Sequence, residues 1–475
     1  GYMTGVPRLG IPETRMHDGP AGISTSGDGY VETTNMPIQL LASATWSEDL
    51  IYQYGEALGK EHVSTGSGWQ LGVQYDVARS PFWARAKDTF GEDYYLTSRL
   101  SVAETKGVQE NGGIAMAKHI GAYGTDGDTQ LFIEVDDQTL HTAYLYPFET
   151  AVEEAQLASI MGTYNRLNGY YTSSNYQLQV NILRNMWGWT GAMVPDWGAN
   201  KEFSMMLGTD IAQDNAATIK QRVLAAIKLG NLTWARVNRA VQNALYAYGV
   251  SGYLNLVEVD ENTGLAKEDP TQERIQFERT YEEDRENGLY EENNEIALEI
   301  AEKGIILLKN DEDENGEAAL PLEVSDYTGD NSVALIGPGA EQLMGGTGGE
   351  RSFGVLEYMT TPSESVQEIA QELAGDQQIN IRSEIMENIH GETIPAESFF
   401  LDETGTENGL TMTGTAADGT DLETQVIDEI EFLTGERSFF NNPEAGGTAF
   451  EEKGEKHTIT GYLQIPEGVT SLVVQ

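Results

Sequence analysis

Residues 1–250 alternate short apolar runs with longer amphipathic stretches, and this alternation leaves few architectures open to the chain. Ala115-Met116-Ala117, Ala158-Ser159-Ile160-Met161-Gly162 and Gly191-Ala192-Met193-Val194 are short runs next to glycine, the pattern of strands buried on both faces of a parallel sheet. Between them, Thr139–Glu154 places Leu140, Tyr144, Pro147 and Phe148 on one side of a helix. Tyr176–Trp187 does the same with Leu178, Ile182 and Leu183. Repeated strand–helix units of this kind predict a parallel α/β fold, a (β/α)8-type barrel in preference to an open doubly wound sheet. Polar and ionisable residues follow the strands directly. In a barrel this places them at the carboxyl-end face, where such folds keep their chemistry.

The remaining chain divides by texture. Ile219–Tyr248 is helical in pattern, and Glu258–Glu292 is crowded with Glu, Asp, Arg and Asn, as expected of an exposed linker. Ile296–Lys303 is then expected as a helix, with Gly304–Leu308 and Val333–Ile336 as strands of a second α/β domain. From about Ile394 short Thr-, Gly- and Glu-rich segments with β-branched and aromatic residues between turns predict all-β material, a sandwich. The expected plan is a barrel over 1–250, an acidic linker over 251–292, the first part of an α/β sandwich domain over 293–393, and an inserted β-sandwich over 394–475.

Charge narrows the partners. The chain carries 28 Lys and Arg against 76 Asp and Glu, a formal net charge of −48. Such a surface repels phosphate backbones and anionic headgroups, so neither nucleic acid nor an acidic membrane is an expected partner. Hydrophobic residues at 39% separate the chain from disordered acidic segments, so the charge belongs on a folded surface. A high-salt habitat and an acidic extracellular protein of ordinary surroundings explain it equally well. The absence of cysteine excludes disulfides, thiolate metal sites and cysteine nucleophiles. No apolar stretch is long enough to span a bilayer. A secreted or cell-surface location is expected, with the cytoplasm as the alternative, and homo-oligomerisation is left open. Gly1 and the alternating pattern that runs up to Gln475 both read as cut ends.

Four segments carry chemistry. Gly191–Ala199 is an apolar strand ending in Pro195-Asp196-Trp197-Gly198: a carboxylate, a large ring and a glycine that permits a sharp turn. A carboxylate beside a tryptophan suits a sugar, attacking or stabilising an oxocarbenium-like carbon while the ring meets the pyranose C–H groups. The same Asp would equally cap the next helix. Lys118-His119 offers adjacent hydrogen-bonding groups to a polyhydroxylated ligand, or a structural histidine. Arg85 can fork onto vicinal hydroxyls, or bridge to Glu92 or Asp93. Asp18, in His17-Asp18-Gly19-Pro20, binds a ligand or folds a turn.

Taken in order, Arg8-Leu9-Gly10-Ile11-Pro12, Asp18-Gly19-Pro20, Arg85 with Phe90-Gly91-Glu92-Asp93, Lys118-His119, Tyr164-Asn165-Arg166-Leu167-Asn168-Gly169 and Asp196-Trp197-Gly198-Ala199 resemble glycoside hydrolase family 3. That family consists largely of β-glucosidases and related exo-acting enzymes. Ala301–Asn310, Leu320-Pro321-Leu322 and Val333–Pro338 are similar to its second domain, and the tail resembles the protective-antigen-type sandwich some members insert there.

The resemblance implies a retaining double-displacement β-glycosidase acting on non-reducing terminal β-D-glucosyl residues. Asp196 matches the nucleophile. Asp18, Arg85, Lys118 and His119 match residues that bind the terminal sugar's hydroxyls, with the Lys118–His119 peptide cis. Tyr164 would hydrogen-bond the nucleophile and keep it ionised, Trp197 would shape the pocket wall, and Met161 is counted with the substrate-binding set. Three positions depart from the pattern: Pro195 stands where Ser is usual, Ile120–Asp126 where an aromatic and an Asn-rich stretch are usual, and Arg166 where Lys is usual. No motif selects the acid/base carboxyl, which is expected beyond Gln475. Neither a metal nor a cofactor is implied. A β-xylosidase and a non-catalytic carbohydrate-binding homologue are the alternatives. Gly345-Gly346-Thr347-Gly348-Gly349 reads as a flexible turn, since no Lys-Ser/Thr follows it as in a phosphate loop.

Overall fold

A computed structural model describes residues 1–6, 9, 11–23, 33–124, 132–199, 204–213, 216–252, 280–312, 316, 318–340, 360–384, 399–401, 408, 410–415, 424–427, 456–460 and 462–463. The chain forms two compact units, one built on Gly1–Leu320 and the other on Pro321–Leu343 with Thr360–Gln475. It is an α/β, multi-domain molecule.

The first unit opens with β1 (Tyr2–Met3) and β2 (Thr14–Asp18), followed by helices α1 (Gln39–Ser43) and α2 (Glu48–Ser64), strand β3 (Trp69–Leu71), helix α3 (Tyr94–Glu110) and strand β4 (Ile114–Ile120). Next come β5 (Phe132–Ile133), α4 (Asp137–Thr139), a π-turn segment Leu140–Tyr144, α5 (Tyr146–Glu154), β6 (Ser159–Gly162), β7 (Arg166–Leu167) and β8 (Tyr170–Tyr171). A π-type helix Gln177–Met186, β9 (Ala192–Pro195), α6 (Ala216–Lys228), α7 (Trp234–Val250), α8 (Tyr281–Glu286) and α9 (Leu289–Gly304) complete it. The main sheet runs β1-β2-β3-β4-β6-β9, antiparallel only between β1 and β2. A second, three-stranded sheet has the order β5-β7-β8.

Both faces of the main sheet are buried, and the strand period divides its side chains between two cores. Ile114 and Met116 join Met16, Trp69, Ala192 and Val194 in one cluster. Ala115, Ala117, Ile160 and Met193 join the inner faces of α2, α3 and α5 in the other. Helices α2 and α3 approach closely because glycines face backbone: a Cβ on Gly55 would lie 2.2 Å from Glu104 O, and one on Gly107 2.2 Å from Tyr52 O. Ser47 and Asp93 cap the two helices through Leu50 N and Leu96 N.

Two expectations for the middle of the chain are corrected. Within the acidic stretch expected as a linker, residues 281–286 and 289–292 are helical and Asp284, Leu289 and Tyr290 are buried, because Tyr290 pairs edge-on with Tyr281 and reaches Ser64 on α2. Glu282, Glu283, Glu286, Glu291 and Glu292 face solvent, while Asp284 is buried; residues 253–279 lie outside the described set. Ile305–Leu308, expected as a strand, is not one, and its four side chains are exposed. Apolar β-branched composition predicts a strand only where a partner strand pairs with it.

In the second unit β10 (Val333–Ile336) pairs in parallel with β11 (Ile381–Glu384) across helix α10 (Pro362–Ala374). Thr361 and Glu364 form a capping box at the start of α10, ahead of a core of Tyr327, Ala370 and Ala374. Farther on, β12 (Phe399–Phe400), β13 (Leu410–Thr415), β14 (Gln425–Ile427), β15 (Lys456–Thr460) and β16 (Tyr462–Leu463) pair antiparallel, β12 with β16 and β13 with both β14 and β15.

Candidate active site

Asp196 follows β9 directly, its backbone N–H bonded to Gly162 O of β6 at 3.0 Å. β9 is an edge of the described sheet, so the N–H that Pro195 lacks costs no bond on that side. Gly198, at φ +70°, turns the chain away from the strand. Asp196 Oδ1 accepts from Tyr164 Oη at 2.9 Å and from Trp197 N at 2.6 Å. His119 Nε2 stands 3.3 Å from Oδ2. Burial alone would raise this carboxyl; the His119 hydrogen bond, with the charges of His119, Arg85 and Lys118, outweighs it and holds the group below the usual aspartate value.

Lys118 and His119 come from β4, where pairing with β6 slips between Ala117 and Ile120. In a regular strand adjacent residues point to opposite faces; here both act on Asp196, His119 by a hydrogen bond and Lys118 by its charge. Their peptide bond is cis. Lys118 is buried, with Nζ 3.1 Å from Asp18 Oδ1 at the end of β2. Burial depresses its ammonium, while Asp18 and Asp196 favour the charge and Arg85 opposes it.

Arg85 begins the turn Ala86–Asp88. Burial disfavours its charge, but Asp88, Asp196, Tyr123 and Asp76 more than compensate, and the guanidinium is held above its ordinary value. It forms an ion pair with Asp88 (Nε to Oδ2, 3.5 Å). Asp93 caps α3, accepting from Leu96 N at 2.7 Å.

The structure thus gathers Asp18, Arg85, Lys118, His119, Tyr164 and Asp196 from five separate stretches of chain. Met161 is buried in the core cluster with Val194, and Trp197 is 70% exposed beside Asp196. Arg8, Gly10, Asp126 and 345–351 lie outside the described residues. Two residues not singled out from sequence join the group. Tyr123 packs edge-on against His119 with ring centroids 5.0 Å apart, and burial raises its hydroxyl. Asp76 lies behind His119, 2.8 Å from Nδ1. Only its place at the end of a strand-like run, Gln70–Asp76, could have pointed to it. Among the described residues no group of three or more His, Cys, Asp or Glu is arranged to hold a metal ion.

The model of the glycosyl hydrolase family 3 N-terminal domain matches residues 7–247, more than half of the chain. The chain belongs to glycosyl hydrolase family 3. It is 28% identical over 367 residues to a β-glucosidase of Rhizobium radiobacter, covering 76% of this chain and 41% of that one. To the thermostable β-glucosidase B of Acetivibrio thermocellus it is 30% identical over 347 residues, covering 70% and 41%. Among solved structures, β-glucosidase 3B of Thermotoga neapolitana in complex with glycerol aligns with a TM-score of 0.63 at 26% identity, covering 79% of this chain and 50% of that one. The β-glucosidase of Kluyveromyces marxianus in complex with glucose aligns with a TM-score of 0.67 at 25% identity, covering 90% and 49%. The chain therefore spans about two fifths of the length of these curated relatives and half that of the solved structures.

Proposed function

We propose that this chain carries the sugar-binding and nucleophilic part of a retaining, exo-acting β-glucosidase that removes non-reducing terminal β-D-glucosyl residues from oligosaccharides or β-glucosides. The observation that carries the proposal is the environment of Asp196: a carboxylate at a strand end, kept ionised by His119 and nearby cations and aimed by Tyr164 Oη and Trp197 N. Asp18, Arg85, Lys118 and His119 supply charged and hydrogen-bonding groups around it for a polyol. Names of the relatives favour glucose over xylose as the terminal sugar.

In the proposed reaction Asp196 attacks the anomeric carbon, forming a glycosyl ester as the glycosidic C–O bond breaks. A second carboxyl group gives its proton to the leaving oxygen. Water, deprotonated by that same carboxyl, then displaces Asp196 and releases β-glucose. Retention requires this partner about 5–5.5 Å from the nucleophile. The main sheet then belongs to a (β/α)8-type barrel, the strands from Phe399 onward to an inserted sandwich, and the acidic surface to a secreted or cell-surface enzyme.

The test is incubation of the full-length protein with a 2-deoxy-2-fluoro β-glucoside, followed by peptide mapping. The expected label is on Asp196. Hydrolysis of aryl β-glucosides with Asp196 unlabelled would sink the assignment, and glucose binding without turnover or label would establish the carbohydrate-binding alternative.

A further inference from the structure

Asp76 is almost wholly buried and directs one carboxylate oxygen at His119. Oδ2 accepts from the backbone N–H of His119 at 3.0 Å and lies 2.8 Å from His119 Nδ1. Gln74, with its amide nitrogen turned toward Asp76, donates to the same oxygen at 3.1 Å, and its amide oxygen accepts from Arg85 Nη2 at 3.2 Å. The stretch that bears them is pinned to β4: Tyr75 N donates to Lys118 O at 2.7 Å and Lys118 N to Val73 O at 3.0 Å.

A carboxylate has only acceptors to offer, so its partner on the imidazole has to be a protonated Nδ1. That leaves Nε2 as the atom turned toward the site, where Asp196 Oδ2 stands 3.3 Å and Arg85 Nη1 3.4 Å away. From this position Nε2 accepts from Arg85 or from a sugar hydroxyl when bare, and donates to Asp196 when it carries a second proton. Neither role requires the ring to rotate. Tyr123, edge-on to the imidazole, restricts the ring from the side.

We propose that Asp76 is a positioning residue, which sets the Nδ1–H tautomer and the plane of His119 and so decides what the site sees of the imidazole. The proposal rests on Asp196 as the nucleophile, yet its primary test does not depend on turnover. The full-length protein, labelled with [15N]histidine, is read by two-bond 15N–1H spectroscopy, with His119 assigned by the signal lost in His119→Gln. The expected wild-type signal is a protonated Nδ1. In Asp76→Asn the charge that enforces it is gone, and the tautomer shifts toward Nε2–H. In parallel, kcat/KM for an aryl β-glucoside falls by about tenfold to a hundredfold, as when a carboxylate that orients a metal-bound histidine is removed.

A wild-type spectrum with bare Nδ1 overturns the proposal, as does an Asp76→Asn protein that keeps both the tautomer and kcat/KM. If the variant does not fold, the wild-type spectrum alone decides. A wild-type protein that hydrolyses no glucoside refutes the enzymatic reading instead, and leaves the spectrum to report on Asp76.

Discussion

Asp196 and His119 show how a residue's surroundings decide its chemistry. The carboxyl is buried, which by itself would favour protonation, yet His119 and the cations Arg85 and Lys118 reverse the sign. Activity dependent on ionised Asp196 should therefore persist at acidic pH, its acid limb lying below the ordinary aspartate pKa of about 3.9. Lys118→Met or Arg85→Leu should move that limb of kcat/KM upward, whatever each does to affinity; a limb that stays in place would remove the electrostatic account. Asp196→Ala should lower turnover by about three orders of magnitude or more, with little change in melting temperature. The strand-end residues Lys118, His119 and Asp196 were legible from sequence because each follows an apolar run. Asp76 and Tyr123 were not, since their importance lies in what they touch.

At the scale of elements, β9 is held by more than its ladder. Asp210, fully buried, accepts from Met193 N at 2.9 Å, Arg184 at 2.7 Å, Arg236 at 3.0 Å and Asn243 at 3.1 Å. It ties the strand that ends at Asp196 to the π-type helix and to α7. Asp210→Ala leaves the buried Met193 N–H without its acceptor and strips two guanidinium groups of their counter-charge, though both keep backbone carbonyl partners, and should cost about 3–5 kcal/mol, read as a lower midpoint for the first unit's unfolding. A loss below about 1 kcal/mol would show that the arginines find other acceptors. Tyr176–Trp187 was legible as a helix by its apolar side, but its π spacing was not. Likewise, composition alone marked residues 281–292 as linker. Their helices depend on Tyr290 and Asn293 meeting α2, where Asn293 donates to Glu61 at 2.7 Å.

Across the whole molecule, buried carboxyls give stability a pH signature. Burial raises Glu104 to about 8, although Gln39 and Gln70 pull it down, and raises Glu61 to about 7. Their folded values exceed the unfolded ones, so this stability is full below about pH 4.5 and is lost as pH rises through 7 to 8. His62 runs the other way: burial lowers it to about 3, and its contribution fades as pH falls from 6.5 toward that value. Glu104→Gln should gain on the wild type in melting temperature from pH 5 to 9; a constant difference would contradict a neutral Glu104 in the fold. The formal charge of −48 adds repulsion that salt screens, so the melting temperature should rise from low to molar NaCl, and a flat profile would show that the surface carboxylates are already neutralised. By itself the sequence determined the α/β class, the buried strands, the family resemblance and the residues that end the strands, because hydrophobic periodicity and chain order are local properties. Only the tertiary structure decided that Asp76 stands behind His119, that Asp210 clamps β9 and that Ile305–Leu308 is not a strand. Those outcomes depend on which distant segments meet, and burial and opposing charge act only once they have met.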